Sequence, residues 1–137
     1  MRAALLLLAA ALCACGIPDH GPTMEAGNDC LSCHNGAQAQ KWTVAGTVFD
    51  TMTGAKPVGV EGAQVYVSDA KGRWLTLTAN SVGNFYTAED LTPPMKVQVA
   101  FGSKRMAMVS APPSGSCNSC HSNPGLQDAP GRLFIQP

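Results

Sequence analysis

Four of the six cysteines fall into two pairs that share one local pattern. Cys30-Leu31-Ser32-Cys33 is followed directly by His34, and Cys117-Asn118-Ser119-Cys120 is followed directly by His121. C-x-x-C-H is the attachment pattern of c-type haem, in which two thiols bond to one porphyrin edge and the next residue ligates the iron. The spacing therefore predicts two haem c groups, with His34 and His121 as proximal iron ligands. The predicted thioether bonds are those of Cys30, Cys33, Cys117 and Cys120.

Three other uses of paired cysteines compete with haem attachment. A disulfide framework fits an oxidising compartment but gives no reason for a histidine after both pairs. A zinc site of four thiolates also leaves both histidines without a role, and it requires two distant segments to meet. A thioredoxin-like dithiol is expected within an α/β pattern, which this sequence lacks. Haem attachment is the reading that uses every residue of both motifs.

The second axial ligand of each iron is less well defined by the sequence. The chain has three histidines, so the two haems cannot both have two histidine ligands from this chain alone. Methionine is the other common axial donor. An open iron site and a ligand from another chain also remain as alternatives, and Met52 and Met95 are less favoured candidates. The distal candidates are Met24, Met106, Met108 and His20.

The first residues have the pattern of an export signal. Arg2 precedes the uncharged apolar run 3–12, which is too short to span a bilayer. Leu12-Cys13-Ala14-Cys15-Gly16 resembles a bacterial lipobox, which implies lipidation of Cys15 and, with Gly16 following, transport to the outer membrane. We therefore expect a signal peptide at 1–14 and a lipidated tether at 15–27. Ordinary signal cleavage, giving a soluble periplasmic protein, is the alternative.

Between the motifs, short runs of β-branched and aromatic residues alternate with turn residues, which is typical of a small all-β domain. Valines alternate with polar residues in 64–68 and 96–101, as expected for sheets with one buried face. About seven strands are expected, and that number suits a Greek-key-like two-sheet β-sandwich. Trp74 is expected in its core, while Trp42 could pack there or on a haem. The predicted strands are 43–49, 64–68, 74–78, 83–86, 96–101, 105–110 and 132–135.

The predicted mature protein is a single di-haem domain at 28–137. It comprises a first haem segment at 28–41, the sandwich at 42–110, and a second haem segment with the final strand at 111–137. The two C-x-x-C-H segments thus flank a mainly β domain. Whether the strand count brings them to one end of the sandwich or to opposite ends is left open. Lys104 and Arg105 could pair with haem propionates or be ordinary charges of an edge strand.

The region between the motifs resembles a known family. The strings Val44-Ala45-Gly46-Thr47-Val48-Phe49-Asp50 and Gly62-Ala63-Gln64-Val65-Tyr66-Val67, followed by Gly83-Asn84-Phe85, look like a carboxypeptidase regulatory-like domain. That resemblance covers roughly 43–101 and implies a transthyretin-like or immunoglobulin-like sandwich without an activity of its own. The whole chain also resembles small di-haem lipoproteins in which two C-x-x-C-H motifs bracket such a domain.

Composition gives little material for chemistry other than electron transfer. Net charge is zero and no basic stripe is present, so nucleic acid is not an expected partner. With two of three histidines assigned to haem, few acid–base groups remain for an enzyme. We expect an electron-transfer protein rather than an enzyme, with other redox proteins and a membrane as partners and an undefined oligomeric state. The alternatives are a haem peroxidase or reductase with one open iron site, and a surface-binding or haem-sensing module.

Overall fold

The structure is a computed structural model that describes residues 21–137. The predicted export signal, Cys15 and His20 lie outside the described residues. Within this range the chain forms six short strands and two single helical turns, one turn at each predicted haem motif. The elements are α1 (Cys30–Cys33), β1 (Val44–Thr47), β2 (Gln64–Ser68), β3 (Trp74–Thr78), β4 (Asn84–Thr87), β5 (Lys96–Phe101), β6 (Lys104–Ala107) and α2 (Cys117–Cys120).

The larger sheet has four antiparallel strands in the order β3-β2-β5-β6. Val65 and Val67 of β2 lie opposite Val99 and Val97 of β5, and all four are buried on one face. The same alternation exposes Trp74, which is 71% accessible. The expectation of a core position for Trp74 was wrong because the residues of β3 with the opposite parity point inward.

The smaller sheet pairs β1 with β4, and β1 is buried along its whole length. Its other edge is covered by the second haem segment, because the Ala45 N–H donates to the Gly115 oxygen at 2.9 Å. Further along, Phe49 forms a parallel bridge with Phe134. A β-carbon at Gly46 would lie 2.7 Å from the Cys117 β-carbon, so only glycine lets that cysteine pass over the strand.

Residues of both antiparallel sheets enter one hydrophobic core, which includes Val44, Val65, Phe85 and Val99. The protein is therefore mainly β, as predicted. The seventh strand expected at 132–135 is not confirmed, since this segment forms an isolated parallel bridge from Phe134 to Phe49, two residues beyond the end of β1. A segment that pairs through one residue forms backbone hydrogen bonds at the edge of a sheet, but it does not add a further strand to the ladder.

The described part of the predicted tether, 21–27, is bound to the domain. The Asn84 side-chain amide donates to the Met24 oxygen at 2.6 Å, and the Gly27 N–H donates to the Thr47 hydroxyl oxygen at 2.9 Å. The Asn80 side-chain amide likewise donates to the Pro22 oxygen. Among residues 21–137, no helix has the length and apolarity needed to cross a membrane.

Candidate functional site

Both C-x-x-C-H motifs fold into the same helical turn. In each, the histidine N–H donates to the oxygen of the first cysteine at 2.9 Å: His34 to Cys30, and His121 to Cys117. One turn of helix places the first and fourth residues of a motif on the same side. This hydrogen bond closes the turn. It therefore brings the two cysteines of each motif together and holds the backbone of the histidine in place.

Each histidine ring is oriented by a bond to a backbone oxygen. His34 Nδ1 lies 3.0 Å from the Gln40 oxygen, and His121 Nδ1 lies 3.0 Å from the Gly131 oxygen. Because a carbonyl only accepts, Nδ1 must carry the proton, and the lone pair of the neutral ring is then on Nε2. This is the arrangement by which proteins fix the tautomer of a metal-binding histidine.

The second motif lines a cavity of about 350 Å³, within the size range of small-molecule and cofactor sites. Cys117, Cys120 and His121 form one part of its wall. His121 Nε2 is buried and has no hydrogen-bond partner. A buried nitrogen lone pair without a partner is unfavourable, so Nε2 is a candidate ligand atom.

The first motif has a different, more open environment. The Trp42 ring stacks on the His34 imidazole with centroids 3.3 Å apart and planes 5° from parallel. Tyr86 stacks on the other face of Trp42 at 4.0 Å and is 40% exposed. A ring stacked on the imidazole face leaves the lone pair of Nε2 free, since that lone pair lies in the ring plane. Trp42 therefore packs at the first motif and not in the core.

Two of the motif thiols, those of Cys30 and Cys117, have raised pKa values. Burial, with a smaller contribution from the nearby Cys30 thiolate charge, raises the pKa of Cys117 to about 12. Burial and the Asp29 carboxylate raise the pKa of Cys30 as well. Cys30, Cys117 and Cys120 are free thiols.

The two motifs lie side by side. The Asn118 side chain, inside the second motif, donates to the Asn28 oxygen at 2.8 Å, two residues before the first motif. The residues that begin the two turns, Ser116 and Asp29, are hydrogen-bonded through their side chains. The fold therefore brings both motifs to one end of β1, which the sequence alone left open.

Only some of the methionines predicted as distal ligands line the cavity. Met106 and Met108 line the cavity with His121, because both follow the inward parity set by Val99 and Val97 across β5. Met52, less favoured from the sequence, lines the same cavity. Met24 does not line this cavity.

Two further sequence expectations concern a core methionine and the basic residues. Met95 is 2% exposed and belongs to the hydrophobic core. Lys104 and Arg105 lie on the exposed edge strand β6, where Arg105 stacks over Tyr66. Neither of them lines the cavity, which instead contains Arg132, a residue that the sequence analysis did not single out. Arg132 directly follows Gly131, which lies ten residues beyond His121, and no recognisable sequence motif marks this position.

Within residues 21–137, no three His, Cys, Asp or Glu side chains are grouped so that they could hold a metal ion. The zinc alternative therefore gains no support from the arrangement of the four motif cysteines. Comparisons with protein-family models, with curated proteins and with solved structures find no match to this chain.

Proposed function

We propose that this protein is a di-haem c-type cytochrome that transfers electrons on the periplasmic or outer-surface side of a bacterial membrane. The observation that carries the proposal is that two histidines far apart in sequence have the same local structure. Each follows a C-x-x-C turn, and each has its Nδ1 3.0 Å from a backbone oxygen, which leaves the lone pair of the neutral ring on Nε2. A disulfide pair or a dithiol would need neither feature.

The residues around the second motif fit a haem. The cavity is largely apolar, its thiols and its orphan imidazole nitrogen share one wall, and Arg132 supplies a cation. Bound haem would supply a one-electron iron couple whose potential depends on axial ligand, burial and hydrogen bonding. We propose Met106 or Met108 as the second axial ligand at this site. The role of the chain is to hold the ligands and exclude water.

The remaining parts of the proposal follow from the sequence. Lipidation at Cys15 would keep the protein at the outer membrane or another periplasm-facing surface, and other redox proteins would be its partners. Weak redox encounters bury little area, so a large apolar docking patch is not required. We also propose that the two sheets, with their shared core, form the Greek-key-like sandwich suggested by the carboxypeptidase regulatory-like resemblance.

Redox titration of the matured protein tests this function. The chain is expressed with a c-haem maturation system and titrated with visible spectra, beside variants that lack one motif: Cys30→Ala with Cys33→Ala, and Cys117→Ala with Cys120→Ala. We expect reversible reduction of two haems in the parent and of one in each variant. Rapid peroxide turnover with a five-coordinate high-spin iron would replace the electron-transfer proposal with the peroxidase alternative.

A further inference from the structure

The two haem motifs are joined by a buried network of side-chain hydrogen bonds. At its centre is the hydroxyl group of Thr47, at the end of β1, which is 0% exposed. This hydroxyl donates to Asn84 Oδ1 at 2.8 Å and accepts from the Asn118 side-chain amide at 3.0 Å. It also accepts from the Gly27 N–H at 2.9 Å, so its donor and both acceptor positions are used.

Asn118 connects this network to both motifs at once. It lies between Cys117 and Cys120, and it is 4% exposed. Its Oδ1 accepts from the Thr47 N–H at 3.1 Å, while its amide group donates to Thr47 and to the Asn28 oxygen. Every polar atom of the side chain is therefore bonded, and the bonds reach both β1 and the segment that leads into the first motif.

One carbonyl group is contacted by both motifs, through a sulfur of the first and a side-chain amide of the second. The Cys30 sulfur is 3.5 Å from the Asn28 oxygen, and the same oxygen accepts from the Asn118 amide at 2.8 Å. Asn118 directly follows Cys117. A thioether joins a porphyrin edge to the sulfur itself, so haems attached at Cys30 and Cys117 would have their attached edges close together.

We propose that the chain holds its two haems as one closely spaced, magnetically and electronically coupled pair, and that Thr47 and Asn118 are the positioning residues that set their separation. This proposal rests on the proposed function. A fully satisfied buried polar network favours one arrangement of the elements that it joins, whereas apolar packing tolerates several. The fold therefore uses the network to fix one motif relative to the other, and electrons would pass between haems within a single chain.

The test compares ferric electron paramagnetic resonance spectra after haem content has been measured. If the haems are coupled, the spectrum of the two-haem protein will differ from the sum of the spectra of the two single-motif variants. A spectrum equal to that sum, in a protein that holds both haems, would overturn the pairing while leaving the proposed function intact. A protein that binds no haem would overturn the proposed function itself.

Variants of the network test the positioning residues. Asn118→Asp keeps the shape of the side chain but removes both donated bonds, and we expect it to change the coupling signal. Ser122→Ala is the control, because the Ser122 hydroxyl donates to the Pro124 oxygen and takes no part in the network. If Asn118→Asp lowers the yield, Thr47→Val and the rescuing Thr47→Ser give the same comparison. Coupling that is unchanged in Thr47→Val would remove the positioning role.

Discussion

The first and second C-x-x-C-H segments build the same backbone turn and the same Nδ1 hydrogen bond, yet they lie in different surroundings. His34 is held under Trp42 near the surface, beside the exposed Tyr86. His121 faces an apolar cavity in which its Nε2 has no partner. The motif sequence thus determines the local turn, whereas the fold determines the surroundings of each histidine. We expect two haems that differ in solvent access and in the second ligand.

The largest expected effect is on the second motif alone. Gly46→Ala would place a β-carbon 2.7 Å from the Cys117 β-carbon and 2.8 Å from the Phe85 ring. Overpacking of this kind costs about 1–3 kcal/mol of stability. We expect a lower urea midpoint and less haem at the second motif, with the first motif still occupied. Gly21→Ala is the control, since nothing lies within 4 Å of its β-carbon. Equal midpoints for the two variants would contradict the close contact.

The cavity methionines give the next effect, which is spectroscopic more than energetic. Met106→Leu combined with Met108→Leu keeps side-chain volume, so stability should fall by less than about 1.5 kcal/mol. We expect the second haem to lose its His/Met near-infrared band while the signals of the first haem stay the same. Met24→Leu serves as the comparison because it lies outside the cavity. Loss of the band in that variant instead would move the distal ligand to the chain's amino-terminal segment.

A smaller effect is expected at the first motif. Trp42→Leu removes the ring that stacks on His34, and such aromatic pairs contribute about 0.5–1.5 kcal/mol beyond the area that they bury. The imidazole should then rotate more freely. In the variant that lacks the second motif, where only the first haem is present, we expect a changed resonance signal. Trp74→Leu in the same background is a suitable control, as Trp74 is exposed on β3. An unchanged signal in the Trp42→Leu variant would contradict this role of the stacked ring.

The smallest expected effect concerns the turn between β2 and β3. It changes the pH dependence of stability and should leave both haems unchanged. Burial of Asp69 opposes its ionisation, but N–H donors from Thr92, Arg73 and Lys71 hold the pKa of its carboxyl below the usual range. A lowered pKa stabilises the fold above the unfolded carboxyl value, and this stability is lost as pH falls through the folded value. Asp69→Asn should therefore flatten the acid side of the stability curve. An unchanged pH dependence of unfolding would contradict this.

Much of the strand pattern could be predicted because period-2 alternation is a local property. The bounds of β2, β3 and β5 agree with the prediction, and the valines of β2 and β5 are buried as expected. The segment 132–135 has strand-like composition, but its pairing depends on which edge of β1 is free, and that is a tertiary fact. The sequence did contain a local indication that Trp74 is exposed, because Trp74 lies on the same face of the strand as Thr76 and Thr78. The prediction gave more weight to its large apolar side chain and placed it in the core.

At the candidate site, spacing alone indicated which cysteines and which histidine belong to each motif, and each motif folds into one helical turn. The side-by-side placement of the motifs could not be predicted, because it depends on Asn118 and Thr47, two polar residues with no recognisable motif. The same holds for Arg132, which reaches the cavity through a loop. The place of Met52 in the cavity wall could not be predicted either, because a turn position says nothing about which loop packs against it. Long-range contacts of this kind are set by the fold and not by local pattern.

Haem mapping by mass spectrometry tests the central claim most directly. The protein, matured in cells with the c-haem system, is digested, and the peptides that contain 30–34 and 117–121 are weighed with and without prior thiol alkylation. The account predicts one haem on each peptide and no alkylatable thiol at Cys30, Cys33, Cys117 or Cys120. Haem-free peptides, with these cysteines alkylated or in disulfides, would contradict it.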